Sequence, residues 1–231
     1  MPTGHPGQPG YFDINHYAEE YLYVGWFDIM GTQNNMRISL PKISNFIFKM
    51  YSYVKDCNRY GLNIYPLMDG FYATHSDKTE FFKFVNYFFS KVFSDFARES
   101  KNKHKFMIRG AVAYGPVVIG KNMEQSYHFK DDLIIGIPVT QAYRGESLAP
   151  PFGIYLDESV RAFPSPQMAI PKVFYKWQDM NNRDNNVTDK YEIISQHLDW
   201  CKTVSKHILY SEDRIEEHRK LAEQYFTHDD I

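Results

Sequence analysis

Apolar and aromatic residues fill positions 21–29 (YLYVGWFDI) and stop at Gly31, a pattern that predicts a buried strand closed by a tight turn. From Pro41, tolerated in a first helical turn, Ile43, Phe46, Ile47, Met50 and Val54 recur on one helical face until Gly61. Residues 62–68 and 71–74 flank Asp69-Gly70, which predicts a β-hairpin with those two residues in a type I′ turn and a carboxylate at its tip. Asp77-x-x-Glu80 has the form of a capping box and opens a second helix, with Phe81, Phe84, Val85, Phe88, Phe89, Val92 and Phe96 at helical spacing. Residues 106–114 (FMIRGAVAY) read as a further strand, broken by Gly115-Pro116 before the short run 117–119. The resulting order, βαββαβ, predicts an α+β fold: a ferredoxin-like antiparallel sheet with both helices on one face and the other face free for a partner.

Beyond that unit, residues 133–136, a helix over 139–148 and strand-like stretches at 153–156 and 173–177 extend the domain, and the asparagine-rich 181–186 is a loop. Ile194, His197, Leu198, Cys201, Val204 and Ile208 form a helical stripe, with His197 read as a core or interface histidine, and a charged helix runs from Glu212 to about Tyr225. The expected organisation is a mobile arm over 1–19, whose first ten residues hold three Pro and three Gly, a domain over 20–180 and a helical extension over 187–231.

Composition narrows the classes. Hydrophobic residues make up 43% of 231 residues and aromatics 17%, enough for one sizeable core. A net charge of −2 excludes a general field for nucleic acid. Two cysteines, Cys57 and Cys201, give neither a disulfide framework nor a metal knuckle, and no long apolar run suggests a membrane span or signal peptide, so a cytoplasmic protein is expected.

Two carboxylates carry the candidate chemistry. Asp28 ends the first strand and Asp69 tips the hairpin, and in a βαββ unit a strand end and the following hairpin turn approach one another. Together they suit Mg²⁺ or Mn²⁺, whereas alone each is equally a helix cap or a turn former. Asp28 stands in FDIMGT, where a strand, a small-residue turn and a helix start aim backbone N–H groups at phosphate.

This hexapeptide resembles the F-D-I-x-G-[FST] signature of class III nucleotidyl cyclases. Tyr65 to Asp69 (YPLMD) is similar to the K-x-x-G-D segment, Arg109 to Gly120 (RGAVAYGPVVIG) to R-x-G-x-x-x-G-x-V-x-x-G, and Gly136 to Arg144 (GIPVTQAYR) to G-x-x-V-N-x-A-x-R. The match spans about residues 20–178. It implies that Asp28, Asp69 and the Ile29 carbonyl hold two Mn²⁺ or Mg²⁺ ions, that Met30, Gly31 and Thr32 cradle the β- and γ-phosphates, and that Arg144 stabilises charge on the α-phosphate. It further implies a head-to-tail homodimer with two sites, each built from both chains.

Three departures stand out: Tyr65 at the purine-reading Lys, Leu133 (beside Asp132) at its Asp partner, and Thr140 at the ribose-orienting Asn. Within the family the chain looks most like the pyrimidine cyclases of bacterial Pycsar anti-phage systems. The implied activity is conversion of UTP to 3′,5′-cyclic UMP and pyrophosphate, a second messenger for a downstream effector. Tyr65 shortens the pocket to one ring, and Arg109 is the candidate donor to uracil. CTP is the alternative substrate, and a non-catalytic nucleotide-binding dimerisation module is the alternative from another class.

Overall fold

The computed structural model describes residues 17–120, 133–162, 173–177 and 187–228. Strand β1 (Tyr17–Ile29) is the spine of one sheet; β2 (Asn63–Leu67), β3 (Gly70–His75), β4 (Ile108–Gly120) and β5 (Leu133–Gly136) join it in the order β2-β3-β1-β4-β5, all antiparallel. The four strands β2-β3-β1-β4 have the ferredoxin-like arrangement. A short β6 (Ile154–Leu156) pairs with β4 in parallel, and residues 173–177, expected to be strand-like, contribute one bridge, Phe174 to Tyr155.

Because strand side chains alternate, β1 builds two layers. Phe27 and Ile29 face the helices α2 (Leu40–Val54) and α3 (Lys78–Arg98), where Phe81, Phe84, Phe88 and Phe89 are fully buried. Each such side chain removed from water contributes about 2 kcal/mol. Asp77 caps α3 by accepting from the Glu80 amide at 2.9 Å, as the capping box predicts. Between β1 and α2 lies a five-residue helix α1 (Thr32–Met36). After α2 the chain continues as a 3-10 turn over Lys55–Tyr60 before Gly61, so the helix stops a turn earlier than expected.

On the opposite face Leu22, Val24 and Trp26 meet Ala142 of α4 (Ile137–Gly145), and the Tyr143 ring lies 5.7 Å from that of Trp26. That face is therefore not bare, as the sequence suggested; a third helix from the same chain crosses it.

Three local expectations need correction. The hairpin turn is Met68-Asp69 rather than Asp69-Gly70: Leu67 pairs with Gly70, and the left-handed conformation falls on Met68 (φ 52°). Gly70 sits within β3 because a Cβ there would lie 2.7 Å from both the Trp26 ring and the Phe27 carbonyl oxygen. Gly115-Pro116 does not break β4, which runs on to Gly120. The Tyr114 amide points away from β1, to Ser159 Oγ at 3.0 Å, so the amide that Pro116 lacks would also point away from β1, where neither β5 nor β6 pairs with it. Finally, β1 begins at Tyr17, so residues 17–19 of the expected arm belong to the sheet; the rest of that arm lies outside the described residues.

The C-terminal helices α6 (Val187–Thr203) and α8 (Glu212–Thr227), with α5 (Glu158–Arg161) before them and α7 (Ser205–Ile208) between them, are not an appendage. Ile194, Leu198, Cys201, Ile215, Tyr225 and Phe226 join the same core as Phe93, Phe96 and Trp177. Cys201 is a buried free thiol pushed up to about 12 by burial; the Cys57 side chain lies outside the described residues. His197 is in the core as expected, its Nδ1 3.4 Å from Asn102 Oδ1 and its Nε2 3.6 Å from Cys201 Sγ.

Burial first, then the Lys105 charge, lowers His197 to about 4; burial, then Arg109 and Arg214, lowers His218 to about 4. The unfolded chain, near 6.5, therefore binds more protons than the folded one between those values. The contribution of the two histidines is full above pH 6.5 and falls as pH drops toward 4, by up to about 3 kcal/mol per histidine at about 1.4 kcal/mol for each tenfold in proton affinity. In thermal melts from pH 8 to 4.5 the protein should lose stability relative to a His197→Gln/His218→Gln variant, the difference between the two growing as pH falls below 6.5.

Candidate active site

The C-terminal end of β1, the β2–β3 turn and the start of β4 converge at one end of the sheet. Asp28 is paired in register with Gly70 on one side and Arg109 on the other, so Asp28 and Arg109 share a face with α4. The hairpin tip folds onto the strand end: the Ile29 amide donates to the Asp69 carbonyl at 3.2 Å, and the Thr32 hydroxyl donates to the Asp69 carboxylate. Met30 is tied to Met107 by its amide at 2.9 Å. Gly31 adopts the left-handed conformation (φ 74°) that lets the turn enter α1 directly.

Electrostatics at this end are unusual. Asp28 Oδ1 is buried without a hydrogen-bond partner. Burial first, then the neighbouring Glu146 carboxylate, pushes the Asp28 carboxyl up to about 9; Arg109 opposes this and Asp69 adds to it. Glu146, 8% exposed in the 3-10 turn after α4, accepts from Arg109 Nε. Excess negative charge around an orphaned carboxylate oxygen fits a divalent cation, for which Asp28, Asp69 and the Ile29 carbonyl are hard oxygen donors. Among the described residues no cluster of three or more His, Cys, Asp or Glu forms a ready metal cage.

The remaining candidates are distributed over the same face. Tyr65 pairs with Tyr72, which pairs with Trp26, one row from Asp28; the Trp26 and Tyr72 rings are 4.6 Å apart. Arg109 is three strands from Tyr65, about 14 Å at the usual strand spacing, and its guanidinium engages Glu146 and the Ser147 carbonyl (3.5 Å). The structure thus brings Arg109 to Asp28 and not to Tyr65. Thr140 and Arg144, one turn apart on α4, are both exposed, and Arg144 forms no ion pair with a described residue. Leu133 begins β5 and is 40% exposed; Asp132 lies outside the described residues. Glu146 was missed in the sequence, although a charged Arg109 inside an apolar strand called for a carboxylate partner.

No protein-family model matches the sequence, and no curated protein matches it. Solved structures do. The catalytic core of a rhodopsin-guanylyl cyclase with converted specificity, in complex with ATPalphaS, is 18% identical, with a TM-score of 0.53 over 66% of this chain and 86% of that one. The monomeric guanylyl cyclase domain of the RhoGC fusion protein from the aquatic fungus Blastocladiella emersonii is 18% identical, with a TM-score of 0.51 over 64% and 86%. A bacterial light-regulated adenylyl cyclase is 14% identical, with a TM-score of 0.54 over 65% of this chain and 47% of its own. The chain has the class III nucleotidyl cyclase fold. In this cyclase fold the described parts of the four motif-like segments lie at the end of β1, the hairpin tip, β4 and the β5–α4 junction.

Proposed function

We propose that the protein is a metal-dependent nucleotidyl cyclase that converts a pyrimidine nucleoside triphosphate, UTP ahead of CTP, to the 3′,5′-cyclic nucleotide and pyrophosphate. The observation that carries this reading is the Asp28 carboxylate, whose Oδ1 is buried without a hydrogen-bond partner, set against the Asp69 hairpin tip and the Gly31 turn. Asp28, Asp69 and the Ile29 carbonyl would hold two Mg²⁺ or Mn²⁺ ions, which when bound supply charge neutralisation for the triphosphate and ease loss of the 3′-hydroxyl proton. Met30, Gly31 and Thr32 cradle the β- and γ-phosphates. The ribose 3′ oxygen, having lost its proton, bonds to the α-phosphorus as the bond to the bridging oxygen breaks and pyrophosphate leaves. Arg144 stabilises the charge that develops on the α-phosphate, and Thr140 orients the ribose.

Those last two groups, with the base-reading Tyr65, serve from a second copy of the chain, across a head-to-tail dimer. Ile135, Ile137 and Tyr143, each more than half exposed, form an apolar surface beside Thr140 and Arg144, and it suits a twofold partner. The product is read as a second messenger in anti-phage defence with its own effector, on the resemblance to Pycsar cyclases. No described helix is long and apolar enough to cross a membrane.

Tyr65 supports the one-ring base, since its phenol replaces a flexible Lys on the face that carries Asp28. Arg109, paired with Glu146 in the free protein, contributes a donor to uracil by exchanging Glu146 for the base, which favours UTP over CTP. Purified protein incubated with equimolar UTP, CTP, ATP and GTP and Mn²⁺ is expected to release pyrophosphate and mostly cyclic UMP. Predominant cyclic AMP or cyclic GMP refutes the role of Tyr65, predominant cyclic CMP refutes that of Arg109, and no cyclic product favours a non-catalytic nucleotide-binding module.

A further inference from the structure

A cavity of about 470 Å³ opens between the 29–35 turn, the start of α2, the 102–107 loop and the C-terminal helices. It lies on the helical side of the sheet. Ile29 lines it, as do Met30, Gly31, Thr32 and Arg109, whereas Asp28, Asp69, Tyr65, Thr140 and Arg144 do not. Its walls carry Lys42, Lys103, Lys105, Arg109 and Arg214, two histidines, and no Asp or Glu. Of these five cations Arg109 is the one in an ion pair with a carboxylate among the described residues, and the Glu99 carboxylate acts on Lys105 from outside the cavity. Lys42 and Lys105 lie over the faces of Phe46 and Phe96 instead.

Positive charge concentrated in a partly enclosed, low-dielectric space repels itself and favours an anion. The same charges are among the causes that push His197 and His218 down. The rest of the wall mixes aliphatic and polar residues with aromatic ones, of which Phe46, Trp200 and Tyr210 are half-buried. The volume is that of a small-molecule site.

We propose that this cavity binds a small organic phosphate bearing an aromatic ring, of the nucleoside monophosphate class, at a site separate from the carboxylate end of the sheet. The phosphate meets lysine and arginine donors and the ring packs against Trp200, Phe46 or Tyr210. Met30, Gly31, Thr32 and Arg109 border both this cavity and the proposed catalytic end, so an occupant holds the phosphate-cradling turn in one position and regulates turnover. That regulatory consequence alone rests on the cyclase reading; binding does not.

The test is isothermal titration of the full chain with uridine 5′-monophosphate, adenosine 5′-monophosphate and pyrophosphate in EDTA, where no turnover occurs. At least one nucleotide is expected to bind at one site per chain, more tightly than pyrophosphate. Charge reversal in Lys42→Glu/Arg214→Glu should weaken it at least about tenfold, the milder Lys103→Ala/Arg214→Ala about threefold, and Asp28→Asn less than about twofold. Melting by circular dichroism verifies that each variant is folded, and the alanine pair reads the same effect if charge reversal unfolds the chain. Absence of binding by both nucleotides, tighter binding of pyrophosphate alone, or a loss caused by Asp28→Asn and not by the cavity variants overturns the proposal. A protein that binds the nucleotide here yet cyclises nothing would refute the cyclase reading and leave this site standing.

Discussion

Asp28→Asn is expected to lower turnover at least about a thousandfold, about 4 kcal/mol in the barrier, and to leave the protein folded. The substitution keeps the shape of a half-buried side chain at the end of β1, whose Oδ1 is shielded from solvent, and removes the charge that a divalent cation would need there. It does not remove a stabilising contact. With the folded carboxyl raised to about 9, the native state binds the proton more tightly than the unfolded chain does, so in the metal-free protein this group's contribution is full below about pH 4 and is lost as pH rises toward 9. A neutral amide is free of that loss and can donate to Glu146. The metal-free variant should therefore melt at or above the parent temperature at pH 7.5, which separates loss of chemistry from loss of fold. Asp69→Asn should lose turnover similarly, with the Thr32 hydroxyl still bonded to the remaining carbonyl of the side chain. Retention of more than about one per cent of activity in either variant would remove the metal role from that residue.

Mixing an Asp28→Asn chain with an Arg144→Ala chain, each inactive alone, is expected to restore about a quarter of parental activity. Half of the randomly formed dimers are mixed, and in each of those one of two sites contains only intact residues. The geometry behind this is the exposure of Arg144 and Thr140 on α4, without an ion pair to a described residue, beside the apolar surface of Ile135, Ile137 and Tyr143. A guanidinium that completes a site in its own chain would be held by a partner there, as Arg109 is by Glu146. Lack of rescue after verified subunit exchange would put all the residues in one chain and end the head-to-tail arrangement.

Much of the fold was legible in the sequence because it is written in local periodicities: the aromatic run of β1, the Phe stripe of α3 with its Asp77 cap, and the βαββαβ order all appear as read. The two carboxylates were legible for the same reason, since a strand end and a hairpin tip are positions that neighbouring residues define. The glycines and prolines misled where a long-range contact overrode their local preference. Gly70 reads as a turn residue, yet it is needed by the Trp26 ring packed across the sheet, and Pro116 reads as a strand breaker, yet its missing amide faces a gap between β5 and β6. Only the tertiary structure decided that Arg109 and Glu146, 37 positions apart in the chain, are one largely buried pair beside Asp28, that α4 crosses the face expected to be bare, and that α6 and α8 close a cationic cavity behind the Met30–Thr32 turn. Each of these depends on which distant side chains share a small volume. Charge, burial and dielectric act through space, and a periodicity along the chain carries no record of them.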